Sequence, residues 1–202
     1  NGNDYAAEAV KKGARGIMVS DPSLLGALGG AVDVVAAEDT TDALLKIAAG
    51  YRKRFKKVRM VAVTGSCGKT TAKDMAAHCL ASKFRTVSSE KSFNNAIGVS
   101  HTLFKLESGT EAAVLEVGTN HPGEIAALGK AVAPDIAVVL NAGKTHLEFL
   151  KDVKGVAREK ASLLKALGEK GTAVLNFDEP LIKEMANGLD RETLYFGMRK
   201  GA

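Results

Sequence analysis

The sequence predicts an α/β protein built on a parallel sheet, in two parts, residues 1–56 and 57–202. Three observations carry this reading. Short apolar, β-branched runs alternate with longer segments of helical periodicity, as in strand–helix–strand crossovers. The runs are nearly continuous in apolar residues, as strands covered on both faces must be. One of them leads through a glycine turn straight into a helix, in residues 61–75, VAVTGSCGKTTAKDM.

Taken in order, residues 5–12 read as a helix, 16–20 as a strand and 32–36 as another. Thr40 or Thr41 caps a helix running through Leu44, Leu45, Ile47 and Ala48 to about Phe55. Its basic end, residues 52–57 (RKRFKK), suits the negative end of the helix dipole and marks the join between the two parts. Individually, those basic residues read as a solvated face. A strand at 58–63 enters the glycine turn, and a helix over 70–80 leaves it. Further strands are expected at 85–87, 112–117, 136–140 and 172–177, with helices at 97–106, 124–132 and 153–167. No internal repeat or low-complexity segment is present.

Composition narrows the classes. With 202 residues and 46% hydrophobic content the chain can bury a core, and it is expected to be soluble. No apolar run reaches the length of a membrane span, and no signal peptide is read at the start. The chain opens on Asn1, so it is expected to be a piece of something longer. Cys67 and Cys79 are too few for a disulfide framework, which points to a reducing compartment. The net charge of +5 suits an anionic ligand, but there is no arginine-rich tract and only 5% aromatics, so no nucleic-acid surface is expected.

The turn itself is a phosphate-binding candidate. A helix N-terminus presents unpaired N–H groups and a positive dipole end, which together favour an anion. Gly65 and Gly68 allow a tight curl, Lys69 can reach a terminal phosphate, and the Thr70 hydroxyl can take a magnesium position. The common longer spacing would need glycine at 63, where Val63 stands, so this loop is the shorter G-x-x-G-K-T form. The plain alternative is a glycine turn with a surface lysine. Cys67 is read as a filler position.

In parallel sheets ligands gather at the carboxyl ends of the strands, so polar residues there carry weight. Glu116 interrupts a strand buried on both faces, where an unpaired carboxylate is costly and a cation would relieve it. The alternative is a structural ion pair. Asn120 and His121 follow in the next loop. Asn141 stands at the next strand tip and His146 in the loop beyond, a candidate for a second cation or a phosphate oxygen. Lys160 falls within the apolar stripe of Val153, Val156, Ala157, Leu163, Leu164 and Leu167. It either snorkels or is a desolvated, reactive amine.

Five ordered segments resemble a known set: residues 64–71 (TGSCGKTT), 93–99 (FNNAIGV), 115–125 (LEVGTNHPGEI), Asn141 with 146–148 (HLE), and 156–160 (VAREK). They are similar to the Mur ligases of peptidoglycan synthesis, whose phosphate loop has this short form. The resemblance covers nearly the whole chain. It implies ATP-dependent amide formation through an acyl phosphate, adding D-alanyl-D-alanine to UDP-N-acetylmuramoyl-tripeptide, in a bacterial cytoplasmic monomer. It assigns Thr64, Gly65, Ser66, Cys67, Gly68, Lys69, Thr70, Thr71, Asn176 and Asp178 to ATP. Thr70, Glu116, His146 and Lys160 go to two magnesium ions, the lysine as a carbamate, with Lys69, Glu116, His146 and Lys160 in the catalytic set. Asn94, Asn95, Asn120 and His121 would face the muramoyl peptide. Residues 1–56 would be the end of a UDP-sugar-binding domain and 57–202 an incomplete central ATP-binding domain, with the C-terminal domain missing and the fragment expected to be inactive alone. Ser100 stands where the family usually has proline, and Ser162 where a glutamate commonly follows the lysine. The competing readings are another phosphate-loop enzyme acting on a non-carboxylate acceptor, and a noncatalytic or degenerate nucleotide-binding relative.

Overall fold

The computed structural model describes residues 2–28, 30 and 32–199. It divides into two compact units, Asn1–Leu44 and Leu45–Ala202. The first holds a 3-10 turn (Gly2–Tyr5), α1 (Ala6–Lys11), β1 (Gly16–Val19), α2 (Ser23–Leu28) and β2 (Asp33–Ala36). β1 and β2 pair in parallel from Gly16 opposite Asp33 to Val19 opposite Ala36. Helix α2 is absent from the sequence expectations. It is a short piece started by Asp21, whose carboxylate accepts from the Ser23 amide at 2.9 Å and the Ser23 hydroxyl at 2.7 Å.

The division falls inside α3 (Thr40–Arg52), before the join expected at 56/57. The reason is packing: Leu45 and Ala48 belong to the core of the second unit, and the buried Arg52 donates to the Val132 carbonyl at 3.2 Å. The basic residues after it, Lys53, Arg54, Lys56 and Lys57, are exposed.

The second unit runs β3 (Arg59–Thr64), α4 (Lys69–Ala81), β4 (Thr86–Ser88), α5 (Ala96–Phe104), β5 (Ala112–Glu116), α6 (Glu124–Val132), β6 (Ile136–Val139), α7 (Leu147–Leu150), α8 (Val153–Ala161), β7 (Thr172–Asn176), α9 (Pro180–Met185) and β8 (Glu192–Phe196). Its six strands are parallel in the order β4-β5-β3-β6-β7-β8. The chain steps one way from β3 to β4 and the other way at every later crossover. Right-handed crossovers therefore place α4 on one face and α5, α6, α8 and α9 on the other. The larger core follows from this: Met60, Ala62, Leu115, Val139 and Leu175 meet Leu103, Ile125, Val156 and Ile182. On the opposite face Val61, Val63 and Val114 meet Ala72, Ala76, Ala77 and Leu80 of α4.

The helix expected over 153–167 changes character. After α8 the chain tightens into a 3-10 turn over Ser162–Ala166, and the Ser162 hydroxyl donates back to the Glu159 carbonyl at 2.5 Å. Such back-bonding competes with the regular helical ladder. β3 lies between β5 and β6, so the loops leaving these three central strands open side by side.

Candidate active site

β3 ends at the buried Thr64, and Gly68, at φ 75°, caps α4 in the left-handed region that favours glycine. The first half of the loop between them is fixed from outside. The Ser66 and Cys67 amides donate to Asn141 Oδ1 at 2.9 and 3.0 Å, and Asn141 Nδ2 donates to the Cys67 carbonyl at 3.1 Å. The Ser66 hydroxyl accepts from the Gly143 amide at 2.8 Å and lies 3.1 Å from the Thr145 hydroxyl. What remains for an anion is the first turn of α4, where the amides of Lys69, Thr70 and Thr71 have no intrahelical partner.

Thr70 turns its hydroxyl to Glu116 Oε2 at 2.7 Å, and Asn94 Nδ2 donates to Glu116 Oε1 at 2.7 Å. Glu116 is 1% exposed and has no basic partner among the described residues. Neutral donors satisfy its geometry but leave the buried negative charge uncompensated. A carboxylate with free lone pairs, a hydroxyl beside it and no cation of its own fits a hard divalent cation. Asn94 can lie here because residue 118 is glycine: a Cβ on Gly118 would sit 2.6 Å from Asn94 Cγ.

Lys160 is 2% exposed on α8, and its amine makes no hydrogen bond or ion pair among the described residues. Its pKa is pushed down to about 8, chiefly by loss of water and next by the positive charge of Lys69, against the pull of Glu159 and Cys67. Lys160 therefore lies within electrostatic reach of the phosphate loop. His146 is placed differently: exposed, at φ 54°, it begins α7 without a side-chain cap bond. The structure thus joins Thr70 to Glu116 and sets Lys160 near Lys69, while the His146 side chain makes no hydrogen bond or ion pair among the described residues. Nor does any group of three or more His, Cys, Asp or Glu among them stand ready to hold a metal.

The expected acceptor residues have structural partners as well. The Asn95 side chain caps α5, accepting from the Gly98 amide at 2.9 Å. Asn120 and His121 are exposed, their amides held by Glu124 Oε2 at 2.6 and 3.0 Å. Burial pushes the Glu124 carboxyl up, but those amides and the Thr119 hydroxyl outweigh it and hold it below the usual range. The His121 ring packs on Phe149 with centroids 4.2 Å apart. Asn176 ties the tips of β7 and β6 through the Leu140 carbonyl at 2.9 Å, and Asp178 accepts from the Met198 amide at 2.6 Å.

Two contributors escape the sequence reading, and a third is given no role in it. Asn141 is noticed there as a strand tip but given no role. Glu159, buried, accepts from the Gly123 and Ile125 amides at 2.8 and 2.9 Å and so closes the N-terminus of α6. Lys73, 1% exposed, donates to the Ser89 carbonyl at 2.7 Å. The one available signal for these last two was a charged residue on the inward side of a helix.

The Mur ligase middle domain family matches residues 63–202. The UDP-N-acetylmuramoyl-tripeptide--D-alanyl-D-alanine ligase of Bacillus subtilis is 37% identical over 150 residues, which is 74% of this chain and 33% of that protein. Among solved structures, MurF from Acinetobacter baumannii superposes with a TM-score of 0.88 at 28% identity, over 96% of this chain and 42% of that one. MurF ligase from Thermotoga maritima in complex with ADP gives 0.86 at 32% identity, over 97% and 44%. The chain spans between 33% and 44% of the length of these relatives.

Proposed function

The chain belongs to the Mur ligase family, and from that premise we propose that the complete protein joins D-alanyl-D-alanine to UDP-N-acetylmuramoyl-tripeptide in an ATP-dependent reaction. The observation that carries the reading is the 2.7 Å hydrogen bond from Thr70 to the buried Glu116 at the mouth of the phosphate loop. The relatives' names supply the substrates.

In this reaction a carboxylate oxygen of the tripeptide terminus attacks the γ-phosphorus of ATP and ADP departs. The amine of D-alanyl-D-alanine then attacks the acyl carbon, loses a proton, and phosphate departs. Lys69 and the first-turn amides of α4 hold the β- and γ-phosphates with fixed positive charge, which costs no reorganisation as charge develops. Thr70 and Glu116 would hold one magnesium, and His146 and Lys160 a second. Magnesium supplies neutralisation of the phosphoryl oxygens. With its pKa near 8, Lys160 is partly neutral at physiological pH, the form that reacts with CO₂ to give a carbamate. Thr64, Gly65, Ser66, Cys67, Gly68 and Thr71 complete the ATP cradle, with Asn176 and Asp178 beside the nucleotide. Asn94, Asn95, Asn120 and His121 line the acceptor side. The reading carries with it a cytoplasmic monomer in which residues 1–56 end a UDP-sugar-binding domain and 57–202 belong to the ATP-binding one. No helix among the described residues is long and apolar enough to cross a membrane.

The test is phosphate release by the complete protein. Release that requires both the UDP-muramoyl tripeptide and D-alanyl-D-alanine supports the assignment. Release with a non-carboxylate acceptor, or ATP binding with no turnover, overturns it. Lys69→Ala should abolish nucleotide binding by calorimetry.

A further inference from the structure

Lysine is among the residues least often fully buried, yet Lys73 is 1% exposed, one turn beyond Thr70 on the same side of α4. All three of its donors are used. Its ammonium donates to the Ser89 carbonyl at 2.7 Å and the Lys91 carbonyl at 3.2 Å, and pairs with the Asp74 carboxylate at 2.6 Å. Two carbonyls from one short segment thus converge on a single cation. That segment is under constraint, because Lys91 has φ 46°, a left-handed conformation that residues with a Cβ rarely adopt.

The segment leads to the reacting groups. Ser89, whose carbonyl is held by Lys73, accepts the Glu116 amide on its hydroxyl at 3.2 Å. Asn94, at the segment's far end, holds Glu116 Oε1 at 2.7 Å and accepts the Gly118 amide on its carbonyl at 2.9 Å. Thr70, on the same helix as Lys73, holds Glu116 Oε2. The Glu116 carboxylate is therefore set from two sides, by α4 directly and by the 89–94 segment that α4 grips through Lys73.

We propose that Lys73 is a positioning residue: its ammonium clamps the 89–94 segment to the helix that carries the phosphate loop and so fixes Glu116 and Asn94 relative to Thr70. A neutral side chain cannot replace it, because the Ser89 and Lys91 carbonyls would lose a charged donor and the segment would relax from the left-handed turn. The consequence for the reaction rests on the function proposed above; the clamp itself does not.

The experiment uses Lys73→Met in the complete protein, read in two ways. Amide hydrogen exchange should quicken at least tenfold at Ser89, Glu116 and Gly118 while staying within twofold at Ser66, Leu140 and the α6 amides. The magnesium concentration for half-maximal activity should rise at least fivefold, with ATP affinity measured in EDTA unchanged within twofold. Lys73→Gln, which keeps a donor for one carbonyl, should give a smaller effect in the same places and serves if the methionine variant does not fold. Uniform acceleration across the unit overturns the proposal, since it means a general loss of stability, and so does unchanged exchange at Glu116 and Gly118. If the unmodified protein shows no acceptor-dependent phosphate release, the functional reading fails while the exchange pattern still decides the clamp.

Discussion

Asn141 sets the phosphate loop with one side chain, occupying the Ser66 and Cys67 amides and the Cys67 carbonyl. Asn141→Ala frees the Cys67 amide and carbonyl and leaves the Ser66 amide only the backbone carbonyl of position 141, at 3.2 Å. Each such bond contributes about 1 kcal/mol net, and part is recovered by water at this half-exposed site, so ATP affinity should weaken roughly tenfold by calorimetry. Unchanged affinity would mean that the loop is rigid without the clamp. Lys160 gives a pH-dependent prediction. Its folded pKa, about 8, lies below the ordinary 10.5, so the unfolded chain binds more protons between those values and this residue makes stability rise with pH across that window. Lys160→Met should therefore stabilise at pH 7, by up to about 3 kcal/mol, and the gain should vanish near pH 10.5 in urea titrations. Glu116 stood out in the sequence because it is a carboxylate inside a strand buried on both faces, and Lys69 and Thr70 because they follow a glycine turn at the start of a helix. The roles of Asn141 and Lys73 were not legible, because the backbone groups they bind are brought close only by the folded sheet.

Helix ends in this protein are closed by two different means, and they should differ in cost. Asp152 caps α8 locally, accepting from the Gly155 amide at 2.6 Å. Glu159 closes α6 from another helix. Asp152→Ala should cost about 1 kcal/mol, the usual worth of a local cap. Glu159→Ala should cost about 2–3 kcal/mol, because it leaves two amides unpaired, one of them buried. Urea midpoints compared at constant m-value check both, and equal losses would contradict the distinction. The local cap could be read from sequence as an Asp before a helical run; the remote one could not. Elements show the same divide. Strands β3, β5, β6 and β7 and helix α6 follow from continuous apolar runs or clear periodicity. α7 is a single turn, α9 is short, and β8 carries only three consecutive apolar residues, with Leu194 and Tyr195 exposed. None of those three leaves a period long enough to read.

At the level of the whole molecule, the parallel sheet and its glycine turn were legible because crossover handedness and strand burial are local rules repeated along the chain. The strand order was not, since nothing in a single apolar run says which neighbour it will pair with. That order puts β3 between β5 and β6 and so brings Thr70, Glu116 and Asn141 together. It also makes the sheet unequal. In the second unit, among the described residues, α5, α6, α8 and α9, with residues of α3 and α7, back one face, whereas α4 by itself covers the Val61, Val63 and Val114 side. The N-terminus of that lone helix is where a nucleotide would seat. A ligand at a hundred times its dissociation constant adds about 2.7 kcal/mol to the folded state, and here it would act first on the helix that covers this face. Trypsin should then report occupancy: cleavage after the exposed Lys83 or Arg85, just past the end of α4, should slow severalfold in saturating ATP and magnesium. A bound triphosphate would pin this helix at its start, and a nicking rate indifferent to ATP would show that the helix is held without it.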